Sequence, residues 1–374
     1  MIRDLALVGV VGGEVPAPVG RQLRPRLEPD AVLVLRFSAF GDVILLAPAL
    51  AALRAAWPRT RIVLATQAAF APLLRHDPSL TDIVALGAGE GAVAYAARLR
   101  EALAGASNVA VLDLHGKLFS LALRALLPFA WPVVVWHKRD VADTIGVALG
   151  TRTWRSDRLH ADRYHLAVEA VVGRALPRGA LRVVVDPADE QRAAALLSEA
   201  GHDGARKLVG FAPGARWATK RWPVERFAAL ARHALSAGYA VAVEGSAEER
   251  ALCSEVVALA PGALDLGGRL DVAGLMGLMR RCSAFVANDS GPMHLARAVC
   301  VPTLAIFGST DPGMFAWEGH HAAFAGLPCS PCSFYGRDIC PKGHLRCLTD
   351  LAPDAAWAAL EVLLRSEGAQ VVGG

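Results

Sequence analysis

The segment Ala31-Val-Leu-Val-Leu-Arg-Phe-Ser-Ala-Phe-Gly-Asp42, running on into Val43-Ile-Leu-Leu-Ala-Pro-Ala-Leu-Ala-Ala-Leu-Arg-Ala-Ala56, decides the fold. Residues 31–37 are apolar apart from Arg36, the composition of a strand buried on both faces. Residues 38–42 make a short loop, and 43–56 read as a helix that Trp57 and Pro58 end. A buried strand feeding a helix through a short turn is the repeating unit of a parallel sheet. The class expected is therefore α/β, with ligands beyond the carboxyl ends of the strands.

The same alternation continues outward from this unit. Strands are expected over 61–66, 82–86, 109–113 and 133–136, with helices near Ala71 and over 92–104 and 118–126. Residues 173–179, with two Gly, two Arg and a Pro, read as a linker. A second series follows, with strands over 208–212, 240–244, 284–287 and 303–307. Its helices fall over 225–237, 247–259, 272–280 and 355–365. Two consecutive doubly wound domains result, 31–178 and 179–350. A disordered tail over 1–30 precedes them, and a C-terminal helix and tail over 351–374 follow.

Composition narrows the function classes. Lys and Arg number 39 against 35 Asp and Glu, and the net charge of +4 is too mild for a nucleic-acid-coating protein. Residues 1–180 carry 21 basic and 15 acidic groups, so this half can receive an anionic partner, although a solvated Arg-rich surface accounts for the excess equally well. Apolar residues make up 54%, as in a folded protein, yet the longest apolar run, 125–136, holds Pro128 and Pro132 and is too short to span a bilayer. Residues 5–11 are followed at once by Gly12, Gly13 and Glu14, which argues against a signal peptide and for a cytoplasmic protein. Seven cysteines, an odd number, do not describe a secreted disulfide framework.

Two strand-to-helix loops of the second domain have the chemistry of anion sites. In Pro213-Gly-Ala-Arg-Trp-Ala-Thr-Lys-Arg-Trp-Pro223, Gly214 allows close approach, Thr219 offers a hydroxyl, and Lys220 and Arg221 can neutralise a diphosphate. Asn288-Asp-Ser-Gly-Pro-Met-His294 again stands at a helix start. Each can equally be a capped surface turn. In the first domain Asp42 sits at a helix N-terminus, either as a cap or as a general base.

Arg36-Phe-Ser-Ala-Phe-Gly-Asp42, with these two segments in the same order across residues 31–350, resembles glycosyltransferase family 9, the lipopolysaccharide heptosyltransferases. The resemblance implies a GT-B fold, two Rossmann-like domains facing across a cleft, and inverting transfer from a nucleotide sugar, typically ADP-heptose, without a cofactor. Asp42 would be the base. Lys220 would balance donor phosphate charge beside Gly214 and Thr219, and Asp289 would hold donor sugar hydroxyls. Ser290, Gly291 and His294 would lie beside the diphosphate, with Glu248 or Glu249 near ribose or base. Ser38, Gly41, His115, Lys117 and Arg163 would face an anionic lipopolysaccharide core acceptor, either Kdo or heptose, at the cytoplasmic face of the inner membrane. Asp113-Leu-His-Gly-Lys117 departs from the family pattern, which has Gln at the place of His115 and a Lys nearer Phe119. The segment 160–163, from His160 to Arg163, resembles a second acceptor-side stretch.

Cys329-x2-Cys332-x7-Cys340-x6-Cys347 is open to three readings: a structural zinc or another metal, a redox-sensitive pair, or reduced thiols. A rival function is an NAD(P)-dependent oxidoreductase, since Gly87-Ala-Gly-Glu-Gly-Ala92 fits a relaxed dinucleotide fingerprint with Asp113 as a candidate ribose carboxylate. A third is a non-catalytic sugar-nucleotide-binding module. No Walker-A pattern is present.

Overall fold

The computed structural model describes residues 8–12, 27–128, 133–137, 161–315 and 320–370. Of the expected features, most of the N-terminal tail and His160 lie outside them. The described residues divide into two units, one ending at Val184 and the other beginning at Val185.

The first unit runs β1 (Val8–Gly12), β2 (Ala31–Leu35), α1 (Phe40–Ile44), α2 (Ala47–Ala56), β3 (Arg61–Gln67), β4 (Asp82–Leu86), α3 (Ala92–Ala102), β5 (Val109–Asp113), α4 (Leu118–Leu126), β6 (Val133–His137) and α5 (Asp162–Val172). Its six strands are parallel in the order β1-β6-β5-β2-β3-β4. Every residue of β2 is buried, as expected of a central strand covered on both faces. On one face Leu33, Leu35, Val63 and Val111 pack against Tyr95, Leu99 and Leu123, each such side chain contributing about 1.5–3 kcal/mol of burial.

Two expectations for this unit are corrected. The single helix over 43–56 is two helices, α1 and α2, because Pro48 has no N–H to donate and its ring would meet the carbonyl of Ile44 one turn earlier. The tail expected through Asp30 contains β1, whose Val11 stands opposite Trp136 at the sheet edge. Its Val-Gly-Val-Val run satisfies the free edge of β6, and an unpaired edge is costly to leave open.

The second unit runs α6 (Pro187–Glu199), β7 (Leu208–Ala212), α7 (Val224–Ser236), β8 (Ala240–Val243), α8 (Arg250–Leu259), β9 (Leu264–Asp265), α9 (Val272–Arg280), β10 (Cys282–Asn288), α10 (Gly291–Ala298), β11 (Thr303–Ile306), β12 (His320–Ala323), α11 (Arg346–Thr349) and α12 (Pro353–Gln370). Its parallel sheet has the order β12-β11-β10-β7-β8-β9. Val209, Phe211, Val241, Val243 and Ile306 pack against Phe227, Leu230 and Leu360. Helices α6 and α9 approach so closely that a Cβ on Gly277 would stand 2.2 Å from the Asp189 carbonyl oxygen.

Counted along its own strands the second sheet reads 3-2-1-4-5-6, the doubly wound order. The first follows it from β2 onward, with β1 filling the sixth place. In such sheets the order reverses at one point, and ligands bind beyond the strand ends there. The reversals fall between β2 and β5 in the first unit and between β7 and β10 in the second.

Candidate functional site

At the first reversal, the loops after β2 and β5 are built around charge. Arg36 is 1% exposed. One of its guanidinium nitrogens donates to the Leu114 carbonyl and another pairs with Asp42 Oδ2. Its guanidinium carbon lies 5.2 Å from the centre of the Tyr164 ring. Asp42 Oδ2 also accepts the Ala39 N–H at 3.1 Å, and Oδ1 accepts the Tyr164 hydroxyl at 2.6 Å. The carboxylate is thus held by donors on both oxygens, and one of them comes from α5, 122 positions along the chain. Lys117 Nζ lies 3.4 Å from Ser38 Oγ, bringing these two acceptor-side candidates together. Gly41 lies in α1 beside Asp42. The His115 ring is buried edge-on against Phe37, centroid to centroid 5.3 Å. Arg163 is in the first turn of α5, next to Tyr164.

Asp113 has a structural task. Its Oδ1 accepts the N–H groups of His115 and Gly116 at 3.0 and 2.9 Å, and its Oδ2 pairs with Arg124 at 3.1 Å. Both oxygens are engaged within the chain, which removes one support of the oxidoreductase reading. The other fails on topology. The Gly87–Ala92 turn follows β4, the outermost strand rather than the one at the reversal, and Glu90 Oε2 closes that turn on the Gly87 N–H at 2.9 Å.

At the second reversal a buried ion pair stands at the head of α10. Lys220 Nζ is 2.6 Å from Asp289 Oδ2, with side-chain exposures of 13% and 2%. The Thr310 hydroxyl donates to the same oxygen at 2.6 Å. Burial alone would raise the Asp289 carboxyl, but the charges of Lys220 and His294 and the hydrogen bonds from Lys220 and Thr310 outweigh it and hold the group below its ordinary value. Arg297, one turn beyond His294, is buried too. Burial pulls its guanidinium down to about 10 against the attraction of Asp289. One carboxylate thus feels the charges of Lys220, His294 and Arg297. Lys220, Asp289 and His294 stand at the head of α10, whose N-terminus itself favours anions, and Arg297 lies in its last turn. Among the described residues the Ser290 hydroxyl at the N-cap of α10 is buried with no hydrogen-bond partner, beside Gly291 in the first turn.

Asn288 joins the two loops. Its Nδ2 donates to the Pro213 carbonyl at 2.7 Å and its Oδ1 accepts the Trp222 N–H at 3.1 Å. Thr219 departs from expectation. Its hydroxyl, buried at 1% exposure, contacts Ser309 Oγ at 3.0 Å and accepts the Arg337 N–H at 2.8 Å. It ties the 337 loop to the β7 loop.

The two glutamates that sequence left open separate clearly. Glu248 is exposed, and Glu249 is half-buried with its carboxylate over Gly214, where a Cβ would stand 1.9 Å from Oε1. Its other oxygen accepts the Ser246 N–H at 3.0 Å. Gly214→Ala therefore forces the Glu249 side chain to swing. A flexible carboxylate can do so, and the expected result is a melting temperature near wild type with weaker nucleotide binding, measured by calorimetry with ADP. Unaltered ADP affinity would detach this contact from the site.

Glu244 stands just beyond the end of β8, at the start of the segment that carries Glu248 and Glu249. It is 3% exposed, and among the described residues its Oε1 has no partner. Burial, and secondarily the Glu249 charge, push its carboxyl up to about 8. Between the ordinary value of 4.5 and about 8, the folded chain keeps a proton that the unfolded chain has lost. Stability therefore falls as pH rises through that window, by up to about 1.4 kcal/mol per pH unit. Thermal melts should show Glu244→Gln gaining on wild type from about pH 5 to about pH 8. A parallel pH dependence of the two proteins would contradict this.

All seven cysteines are free thiols. Burial first, then the neighbouring clustered thiols, raises Cys347 to about 11 and also raises Cys332. Cys340 is lowered, since the N–H groups of residues 342–345 outweigh burial. Cys329 Sγ lies 3.9 Å from His344 Nε2. Among the described residues no three His, Cys, Asp or Glu side chains are placed to hold a metal ion, so of the three readings of the cluster the structural zinc has no support. Cys347, the second residue of α11, is buried in the hydrophobic core.

Residues 96–337 match the family model of Glycosyltransferase family 9 (heptosyltransferase). The chain is 26% identical over 353 residues to lipopolysaccharide heptosyltransferase 2 of Salmonella typhimurium, covering 90% of this chain and 99% of the relative. Its fold is that of a family 9 glycosyltransferase from Veillonella parvula, with a TM-score of 0.73, 22% identity, and coverage of 91% of this chain and 99% of the other. It is likewise that of the ADP-heptose lipopolysaccharide heptosyltransferase II of Escherichia coli, with a TM-score of 0.69, 22% identity, and coverage of 90% and 99%. Both units therefore belong to a GT-B architecture.

Proposed function

Because the chain belongs to glycosyltransferase family 9, we propose that this enzyme transfers heptose from ADP-heptose to the inner core of lipopolysaccharide, with inversion at the anomeric carbon. The observation that carries the reading is the Lys220, Asp289 and His294 cluster at the head of α10, with the buried Arg297 of its last turn adding a further charge felt by Asp289. As the sugar–diphosphate bond breaks, its electron pair goes to the leaving phosphate. Fixed cations and a helix N-terminus meet that charge without reorganising. Gly214 gives the backbone close approach, Ser290 and Gly291 lie beside the diphosphate, and Glu249, over Gly214, faces the ribose. Thr219 acts indirectly, by holding the loop.

The incoming acceptor hydroxyl must lose its proton, and in this reading Asp42 takes it. Ser38, Gly41, Lys117, His115 and Arg163 serve an anionic acceptor, for which the cationic Lys117 and Arg163 are suited. Transfer requires no cofactor in this account, since the leaving-group charge is met by side chains. No described helix is long and apolar enough to cross a membrane, and we place the enzyme in the cytoplasm, meeting its lipid-linked acceptor at the inner face of the inner membrane.

The test is incubation with ADP-heptose and core-truncated lipopolysaccharide ending in Kdo or in heptose. ADP release with one added heptose on one of the two acceptors is expected. Release from a UDP-sugar alone, or binding of ADP-heptose without turnover on either acceptor, would overturn the reading.

A further inference from the structure

The geometry points to Tyr164 as a positioning residue for the Asp42 carboxylate, an inference that rests on the reading of Asp42 as the base. Tyr164 is fully buried, which for a phenol is tolerable only where the hydroxyl has a partner. Its partner is Asp42 Oδ1, at 2.6 Å. On the other side of the carboxylate, Oδ2 is held by Arg36 and the Ala39 N–H. The terminal torsion of an aspartate is broad and two-fold, so a single bonded oxygen leaves the carboxylate free to rock. Donors on both oxygens fix its plane.

The ring has a second contact. The Arg36 guanidinium lies over it at 5.2 Å while also holding the Leu114 carbonyl at the start of the loop after β5. Tyr164 therefore supports Asp42 twice, directly through its hydroxyl and indirectly through the ring on which Arg36 rests. It does so from α5, so the first turn of that helix sets the orientation of a carboxylate in α1.

Hydroxyl and ring can be separated by substitution. Tyr164→Phe keeps the ring beneath Arg36 and removes only the hydrogen bond. A hydrogen bond to a charged group accounts for roughly tenfold or more in rate when it orients a reacting group. The expected outcome is a kcat about tenfold lower with an unchanged donor KM, and a lower melting temperature, because a buried hydrogen bond to a charged group is lost. The discriminating measurement is the double variant. If the hydroxyl acts through Asp42, Tyr164→Phe added to Asp42→Asn lowers single-turnover rates no further. Wild-type kcat in Tyr164→Phe, or the same tenfold loss in the Asp42→Asn background, overturns the inference while leaving the base assignment standing. Wild-type kcat in Asp42→Asn overturns both.

Discussion

Asp42→Asn is expected to lower turnover by about 10²- to 10⁴-fold, the range of general-base contributions, with the donor KM near its wild-type value. Asparagine keeps the shape of the side chain and its capping role in α1, so the fold should survive. Its amide cannot take a proton from an acceptor hydroxyl, however, and it presents one oxygen where Arg36, Ala39 and Tyr164 now meet two. Steady-state rates of ADP release, with ADP affinity measured separately by calorimetry, divide the two effects. An unchanged kcat would reduce Asp42 to a helix cap.

Lys220→Ala should act on binding and chemistry together, because its charge meets the diphosphate before and during bond cleavage. A combined loss of roughly 10- to 100-fold in kcat/KM is expected, divided between KM and kcat. Stability should fall as well. Asp289 is buried 2.6 Å from Lys220, and breaking a buried pair by removing one partner costs about 3–5 kcal/mol. Here Thr310 and His294 remain to offset part of that. The Asp289 carboxyl is held below its ordinary value in the folded chain, so its contribution is present above the unfolded value and lost as pH falls through the folded one. The variant should therefore lose most of its stability relative to wild type near neutral pH and little in acid. Lys220→Ala combined with Asp289→Asn should regain melting temperature without regaining donor binding. Wild-type kcat and KM in Lys220→Ala would remove the lysine from the site.

Some local features of the structure have signals in the sequence. Asp186-Pro187 marks the start of α6: Asp186 Oδ1 accepts the Ala188 N–H at 2.8 Å, and proline at the first helical position is a common helix opening. Pro48 signalled the break between α1 and α2 in the same way. Short edge strands such as β9 and β12 carried little signal, since two to four residues are too few to show a period.

Local pattern determined the two series of central strands, the α/β class and the three loops that carry Asp42, Lys220 and Asp289, because burial on both faces leaves an unbroken apolar run and a helix start has its own chemistry. These are properties of neighbours along the chain. Pairings between distant residues belonged to the tertiary structure alone. Tyr164 reaches Asp42 and Thr310 reaches Asp289, while Thr219 turns to Ser309 and Arg337. Glu249 covers Gly214 where Glu248 stays in solvent, and Glu244 is buried with a raised carboxyl. The physical reason is that a side chain's charge state and partners depend on what the fold brings against it and how much water it removes, and neither quantity is a function of sequence spacing.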